Sequence, residues 1–406
     1  MTIGVMANFK KPTKIAKYIS LISQVYGIEV IYMRPGDINI ENDTVVGKVF
    51  VNNEWVEKQT GIPPFIDIAP YCFKKKNKAI TDYLKRKTFL SDNRDNVLTK
   101  RALQEKLLND PKFSHLVIPT HRIQSFEDMQ KYLEKYSKIV LKPSWGIQGK
   151  GIYILEQLED GYLLGHNIQE DELNESELEG FFNHSIAKKG YVLQQYVSSR
   201  TSGGEPFDCR IHVEKNEHGE WESARNYIRI GIGQKVISNV NQGGGISKPV
   251  PFLKANFGRQ WKAINQKLNQ LAVTLPYKVE SLRSTHIMSL GMDIGIGRDG
   301  QLYLFEVNDG PDTSAVIAEV AYLRSNYYRY ILRNRLNMPE KNRVEYEKYQ
   351  AVLEERDQYR ERVAEIQSAK ESYEQKYHEM KESTSWKVSK PIRKAGSIMK
   401  NFRSKG

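Results

Sequence analysis

Residues 138 to 155, Lys-Ile-Val-Leu-Lys-Pro-Ser-Trp-Gly-Ile-Gln-Gly-Lys-Gly-Ile-Tyr-Ile-Leu, set Gly146, Gly149 and Gly151 between two apolar runs, with Lys142 at the mouth. Glycines allow the backbone turns that aim successive N–H groups at an anion, and a lysine adds charge, so the pattern suits a lid over a triphosphate. A Walker loop or a dinucleotide fingerprint would open a helix, whereas Gly151 leads straight into Ile-Tyr-Ile-Leu. Taken alone, the same spacing also describes a plain hairpin turn. A second set lies within residues 291 to 311, which read as a hairpin about Arg-Asp-Gly. Residues two apart on a strand share a face, so Glu306 and Asn308 project together and Asp293 on the preceding strand joins them. Two carboxylates and an amide oxygen are the donors that hold Mg²⁺ alongside substrate phosphates. Singly, each reads more readily as a polar residue on an exposed strand face.

The order of these segments resembles the ATP-grasp superfamily, and within it the endospore coat-associated YheC/YheD-like family, over roughly residues 90 to 335. Lys100, in Leu-Thr-Lys-Arg-Ala-Leu-Gln, matches the first nucleotide-binding lysine of that family, and Lys142, in Val-Leu-Lys-Pro, matches the second. Gly146 to Gly151 matches the lid. Tyr-Val-Leu-Gln-Gln-Tyr-Val, 191 to 197, resembles the strand and hinge that receive adenine, with Gln194, Gln195 and Val197 at its edge. Phe-Asp-Cys-Arg-Ile-His-Val, 207 to 213, resembles the Asp-x-Arg strand, which implies that Arg210 meets phosphate and Asp208 orients it. Arg229, Asn239, Gly243 and Gly244 match the arginine, asparagine and double-glycine segment facing the transferred phosphoryl group. Asp293, Glu306 and Asn308 match the metal set.

The resemblance implies an α/β (α+β) chain with an ATP-grasp fold, using ATP and Mg, that joins a carboxylate to an amine or related nucleophile. Phosphoryl transfer asks a protein mainly for positioning and charge neutralisation, which lysines, Arg210, Arg229 and a metal supply. The carboxylate would become an acyl phosphate, and lid closure would keep water from it. A phosphotransferase of the same fold and a non-catalytic ATP-binding scaffold remain the other readings. No side-chain nucleophile is expected, because no nucleophile elbow is recognisable and Cys72 and Cys209 are the only cysteines. His212, beside Arg210, reads as structural rather than as a metal ligand.

Two cysteines without Cys-x-x-Cys spacing fit a reducing compartment, and neither a secretory leader nor an apolar span is read, so a cytoplasmic location is expected. The net charge of +12 is concentrated, since residues 381 to 406 hold eight Lys or Arg against Glu382 alone. That placement points away from nucleic acid. Trp386, Val388, Ile392, Ile398, Met399 and Phe402 are interleaved with the cations, a pattern for docking on anionic lipid at the inner membrane face, or for a solvated terminus. Ser-Thr-Ser-Trp-Lys-Val-Ser-Lys-Pro-Ile-Arg-Lys resembles the tail of many bacterial glycosyltransferases and other polysaccharide-assembly proteins, which implies work on an envelope polysaccharide or its sugar-acid precursor.

The elements that must position this chemistry follow from periodicity. Residues 2 to 7 and 28 to 33 predict strands, 12 to 25 a helix, and 45 to 57 a hairpin turning at Asn-Asn. They form an N-terminal α/β domain over 1–92, on the acceptor side of the cleft by the family's pattern. The ATP-grasp domain covers 93–336 and closes with a helix over 314 to 335. Residues 337–382 carry a coiled-coil helix and 383–406 the basic tail. Heptad steps from Tyr349 reach Val352, Arg356, Tyr359, Val363, Ile366, Lys370, Tyr373, Tyr377 and Met380, a seam for a homo-oligomer, with antiparallel and partner-bound arrangements open.

Overall fold

The first sheet shows how alternation becomes architecture in this computed structural model, which describes residues 1–144, 151–166, 169–231, 244–338, 343–389 and 391. In chain order come β1 (Thr2–Met6), α1 (Lys14–Val25), β2 (Glu29–Met33), β3 (Ile38–Asn39), β4 (Thr44–Val51), β5 (Glu54–Gly61), β6 (Phe65–Ile68), α2 (Lys78–Lys87) and β7 (Phe89–Leu90). The strands lie in the order β3-β4-β2-β1-β6-β7, with β5 beside β4, and β1, β2, β6 and β7 are parallel. Thr13 caps α1 by accepting from the Ala16 N–H, which fixes its start just after Pro12. The expected Asn-Asn turn is present, with Asn52 and Asn53 both at positive φ.

Next follow α3 (Lys100–Leu108), β8 (Thr120–Arg122), α4 (Phe126–Tyr136), β9 (Lys138–Pro143), β10 (Tyr153–Leu158), β11 (Gly161–His166), β12 (Gln169–Leu173), α5 (Glu175–Phe181) and β13 (Tyr191–Gln195). These strands make an antiparallel sheet in the order β12-β11-β10-β9-β13-β8. It packs on its own apolar cluster, including Met129, Leu133, Leu141, Leu155 and Leu193. Leu141 pairs with Tyr153, so the glycine-rich segment does join antiparallel neighbours.

The third sheet is built from β14 (Phe207–Lys215), β15 (Trp221–Ile230), β16 (Gly245–Ser247), β17 (Ser289–Ile296) and β18 (Leu302–Asn308), ordered β16-β15-β14-β17-β18. Between β16 and β17 the chain forms α6 (Pro249–Phe257) and α7 (Trp261–Arg283), and after β18 it forms α8 (Ile317–Tyr330) with a π turn at Ile331–Arg335. Phe207, Cys209, Ile211 and Val213 of β14 and Leu290, Met292, Ile294 and Ile296 of β17 share a buried cluster with Leu268, Leu275 and Val279 of α7. Each such side chain, fully buried, contributes about 1.5–3 kcal/mol, and the period of two then sends the alternate charged residues to the opposite face.

α8 joins the first sheet to the third. Tyr327, Tyr328 and Ile331 are buried with Ile3, Ile19 and Phe65, and Ser23 on α1 meets Ser325 at 3.2 Å. Beneath them, the fully enclosed Glu214 carboxylate accepts from Arg324 Nε at 3.0 Å and from Ser289 Oγ at 2.7 Å, and His212 Nε2 lies 2.9 Å away. Arg324 also reaches Asp67 of β6, which accepts from the Tyr328 hydroxyl at 2.5 Å. His212 therefore belongs to this buried web. Cys72 and Cys209 are buried free thiols.

The three sheets lie in one compact unit, Met1–Pro339, and residues 340–406 form a second. The second contains α9 (Arg343–Glu382) and α10 (Thr384–Val388), the latter capped by Ser383. The helix expected within 337–382 is thus one continuous helix, Arg343–Glu382. Along it Val352, Tyr359, Val363, Ile366, Tyr373, Tyr377 and Met380 are exposed. No helix among the described residues is long and apolar enough to cross a membrane.

Candidate functional site

The charged face of the third sheet is the candidate site. Register sets Asp208 opposite Arg229 across β14 and β15, Arg210 opposite Asp293 across β14 and β17, and Asp293 opposite Glu306 across β17 and β18. Arg229 grips Asp208 with two hydrogen bonds, Nε to Oδ1 at 2.7 Å and a terminal nitrogen to Oδ2 at 2.8 Å, and reaches Asp293 Oδ2 at 3.0 Å. Arg210 grips Asp293 through Nε to Oδ1 and a terminal nitrogen to Oδ2. Burial works to raise the Asp293 pKa, yet the charges of Arg229 and Arg210 outweigh it and hold the carboxyl below the usual carboxylate range.

The pairing differs from the expectation in one respect: Asp208 holds Arg229, and Arg210 is held by Asp293. Side chains two apart on β14 share a face without touching, whereas cross-strand neighbours touch. Two guanidinium groups are thereby fixed side by side, matched in charge by the Asp208 and Asp293 carboxylates.

Glu306 and Asn308 stand at the end of β18, and Asn308 Nδ2 lies 3.4 Å from Asp293 Oδ2. The three oxygen-bearing side chains predicted from alternation are brought together. A bulge between Asp293 and Ile294 alters what lies beside them. Leu302, Leu304 and Val307 all pack on the core cluster, so the alternation skips a beat at Phe305 and Glu306. Phe305 then covers Gly295, where any side chain would overlap its ring, and Lys142 Nζ sits 5.5 Å from the ring centroid. Phe305 was not anticipated, because a bulge leaves no mark on the hydrophobic pattern.

Lys100 opens α3, whose N-cap Thr99 accepts from the Ala102 N–H at 3.1 Å, and its ammonium stands 3.2 Å from Glu306 Oε1. Lys142, from β9 on the other sheet, faces the same carboxylates. Burial first, and the Lys100 cation second, bring the Lys142 ammonium down to about 8, against the opposing pull of Glu306 and Asp293. Such a lysine keeps its charge near neutrality only where anions are close.

Gln194 is buried on β13, donates to Thr120 Oγ1 at 2.8 Å, and leaves its Oε1 without a partner among the described residues. Gln195 and Val197 line a cavity of about 300 Å³ with Tyr196, Arg298 and Tyr303, at the turn end of the β17–β18 hairpin. Gly151 has φ +74° and lies where a Cβ would be 2.8 Å from the Tyr191 hydroxyl, so only glycine fits. Gly244 leads into β16, where Gly245 pairs with Ile230. Gly146, Gly149, Asn239 and Gly243 lie outside the described residues.

Glu306 and Asn308 bring oxygen donors of the kind Mg²⁺ takes next to Asp293, whose two oxygens already receive Arg210 and Arg229 and whose neighbour Glu306 receives Lys100. The orphaned Gln194 oxygen and the lysines fit a nucleotide. Also unanticipated is Asp309, which pairs with Arg94 at 2.8 Å and with the buried Arg283 at 3.3 Å; Arg283 in turn holds Asp92 at 2.9 Å. These pairs pin the end of β18 to the segment leading into α3.

Endospore coat-associated protein YheC of Bacillus subtilis (strain 168) is 23% identical over 317 residues, which are 72% of this chain and 83% of that protein. YheD of the same organism is 23% identical over 334 residues, 77% of this chain and 72% of its own. Among solved structures, D-alanyl-alanine synthetase A from Vibrio cholerae O1 biovar eltor is 13% identical, with 83% of this chain and 98% of that chain covered at a TM-score of 0.45. The family model described as YheC/D like ATP-grasp matches residues 91–334, from the Asp92 loop through both antiparallel sheets to the end of α8, and by that match the chain belongs to the YheC/D-like ATP-grasp family.

Proposed function

We propose that the chain is an ATP-dependent ligase that joins a carboxylate to an amine through an acyl phosphate. The observation that carries this reading is the Arg210–Asp293–Arg229 cluster, a buried and a half-buried guanidinium group locked in position next to Glu306 and Asn308. Preorganised cations of this kind stabilise charge that develops during phosphoryl transfer. A carboxylate oxygen attacks the γ-phosphorus, the bond to the ADP oxygen breaks, and ADP leaves with the electron pair. The amine then attacks the acyl carbon, phosphate departs with its oxygen, and the amine proton is released. Arg210 and Arg229 hold the phosphoryl oxygens, Lys142 and Lys100 neutralise the nucleotide phosphates, and Gln194 meets the base. Glu306, Asn308 and Asp293 are the residues that would hold Mg²⁺, which would supply further neutralisation of phosphate charge.

The tail's likeness to polysaccharide-assembly proteins supports a sugar acid or an envelope glycan as one substrate and an amino acid as the other. The exposed apolar seam of α9 supports a homo-oligomer, and the basic tail supports an anionic membrane surface as its resting place at the cytoplasmic face.

The reading is tested by measuring ADP and free phosphate from purified protein with Mg-ATP, across pools of amino acids and nucleotide-linked uronic acids, for wild type and Glu306→Gln. Equal ADP and phosphate, dependent on both an acid and an amine and lost in the variant, establish the ligase. ADP without free phosphate makes the protein a phosphotransferase instead.

A further inference from the structure

The parallel strands run β2-β1-β6-β7, and the chain leaves β1 toward β2 on one side but places β6 on the other. Open α/β sheets form a ligand crevice at the carboxyl ends of strands where the order switches in this way. Here that crevice carries two aromatic rings and two lysine runs. Phe9, just beyond β1, is 54% exposed, and Tyr71, just beyond β6, is 40% exposed; their rings meet edge to face with centroids 5.6 Å apart. Asn8 Nδ2 donates to the Tyr71 carbonyl at 2.8 Å, and the Tyr32 hydroxyl donates to the Phe9 carbonyl at 2.8 Å. Both loops are therefore held through their backbones while the rings stay open to solvent.

Lys10 and Lys11 follow Phe9, and Lys74, Lys75 and Lys76 stand beyond Tyr71, all exposed. No acid occurs before Glu29 or between Asp67 and Asp82 in the sequence. The crevice also lies next to the chemistry. Gly310, two residues past Asn308, is packed so closely on Pro70 that a Cβ there would stand 2.9 Å from the proline ring.

We infer that this switch-point crevice docks an acidic glycan, a sugar chain bearing carboxylate or phosphate groups, and presents it to the Asn308 end of β18. The inference rests on the ligase reading for the direction of presentation. Pyranose C–H faces pack against the negative face of an aromatic ring, and the lysines take the acid groups. A peptide adding by strand pairing would need a free sheet edge, and strand ends offer none. Bases of a nucleic acid stack on aromatic platforms, a role that rings 63° apart do not share.

The test uses the full chain and measures binding of tetragalacturonate, a poly(glycerol phosphate) oligomer, maltotetraose and oligothymidylate at one ionic strength. At least one acidic glycan is expected to bind, with the two acidic arms telling carboxylate from phosphate, and maltotetraose is expected not to. Phe9→Ala with Tyr71→Ala, and separately Lys75→Glu with Lys76→Glu, should each weaken that binding by about tenfold or more and leave Mg-ATP affinity unchanged, which also reports an intact fold. Binding that the variants do not alter, no binding by either acidic glycan, or tighter binding of oligothymidylate overturns the inference. ADP formation is read separately: glycan binding lost in the variants, with no turnover in wild type, overturns the ligase reading and upholds the docking surface.

Discussion

The Lys100 ammonium and the Glu306 carboxylate stand 3.2 Å apart, joining the first turn of α3 to the last strand of the charged sheet. On the proposed reading, one carboxylate thus anchors a phosphate-binding cation and also belongs to the metal donor set. Glu306→Gln keeps the shape and removes the charge from both. Mg-ATP turnover should fall by about a hundredfold or more, the effect seen when one preorganised group is lost. Parallel titrations of Mg²⁺ should show a weaker apparent affinity; unchanged metal dependence would remove Glu306 from the donor set.

Lys142 titrates within an accessible range. Its folded pKa of about 8 lies below the ordinary 10.5, so the unfolded chain binds more protons between those values and stability rises with pH across that window. Nucleotide affinity should move the opposite way, weakening above about pH 8 as the ammonium loses its charge. Lys142→Arg stays charged throughout. Calorimetric titration with Mg-ATP from pH 7 to 9.5 should give a falling affinity for wild type and a flatter profile for the arginine variant.

Asp293→Asn leaves Arg210 and Arg229 without the charge between them. Removing one partner of a buried pair costs about 3–5 kcal/mol, so urea unfolding should shift to markedly lower midpoints. In wild type the depressed carboxyl pKa means that this stabilisation is present above about pH 4 and is lost as pH falls through the folded value. The stability gap between wild type and Asp293→Asn should therefore narrow in acid.

Gly151→Ala combines a left-handed backbone with a Cβ placed 2.8 Å from the Tyr191 hydroxyl. The backbone alone costs about 1–2 kcal/mol. Tyr191→Phe removes the oxygen in the way, so the double variant should recover part of the loss in thermal stability, and an additive result would show that the contact is not the cause.

If the exposed seam of α9 pairs two copies of the chain, light scattering should give a dimer for the full chain. Val363→Asp with Ile366→Asp, at seam positions 56% and 63% exposed, should give a monomer with unchanged helix content in the first unit. Equal masses would assign the seam to another partner.

The legible parts of this site were those governed by local periodicity. Glu306, Asn308 and Asp293 share a face because strands repeat every two residues. What stayed hidden depends on contacts between distant segments. Asp208 could not be matched to Arg229 without the β14–β15 register, and Phe305 reached the cleft only through a bulge. The Asp67–Arg324–Glu214 web and the Arg283–Asp92–Asp309 pairs join residues from separate segments, and each member alone looks like an ordinary surface charge.

The Asp67–Arg324–Glu214 web also divides the first unit mechanically. Sliding the first sheet against the third would strip a buried guanidinium of its carboxylates and part Tyr328 from Asp67, so these two layers behave as one anvil. The β8–β13 sheet has its own apolar core, distinct from the cluster beneath the charged face. Lys142 rides on that separate block. On the proposed ligase reading, closing on nucleotide would fall to the block that carries Lys142, while Arg210 and Arg229 keep their spacing on the layer that does not slide.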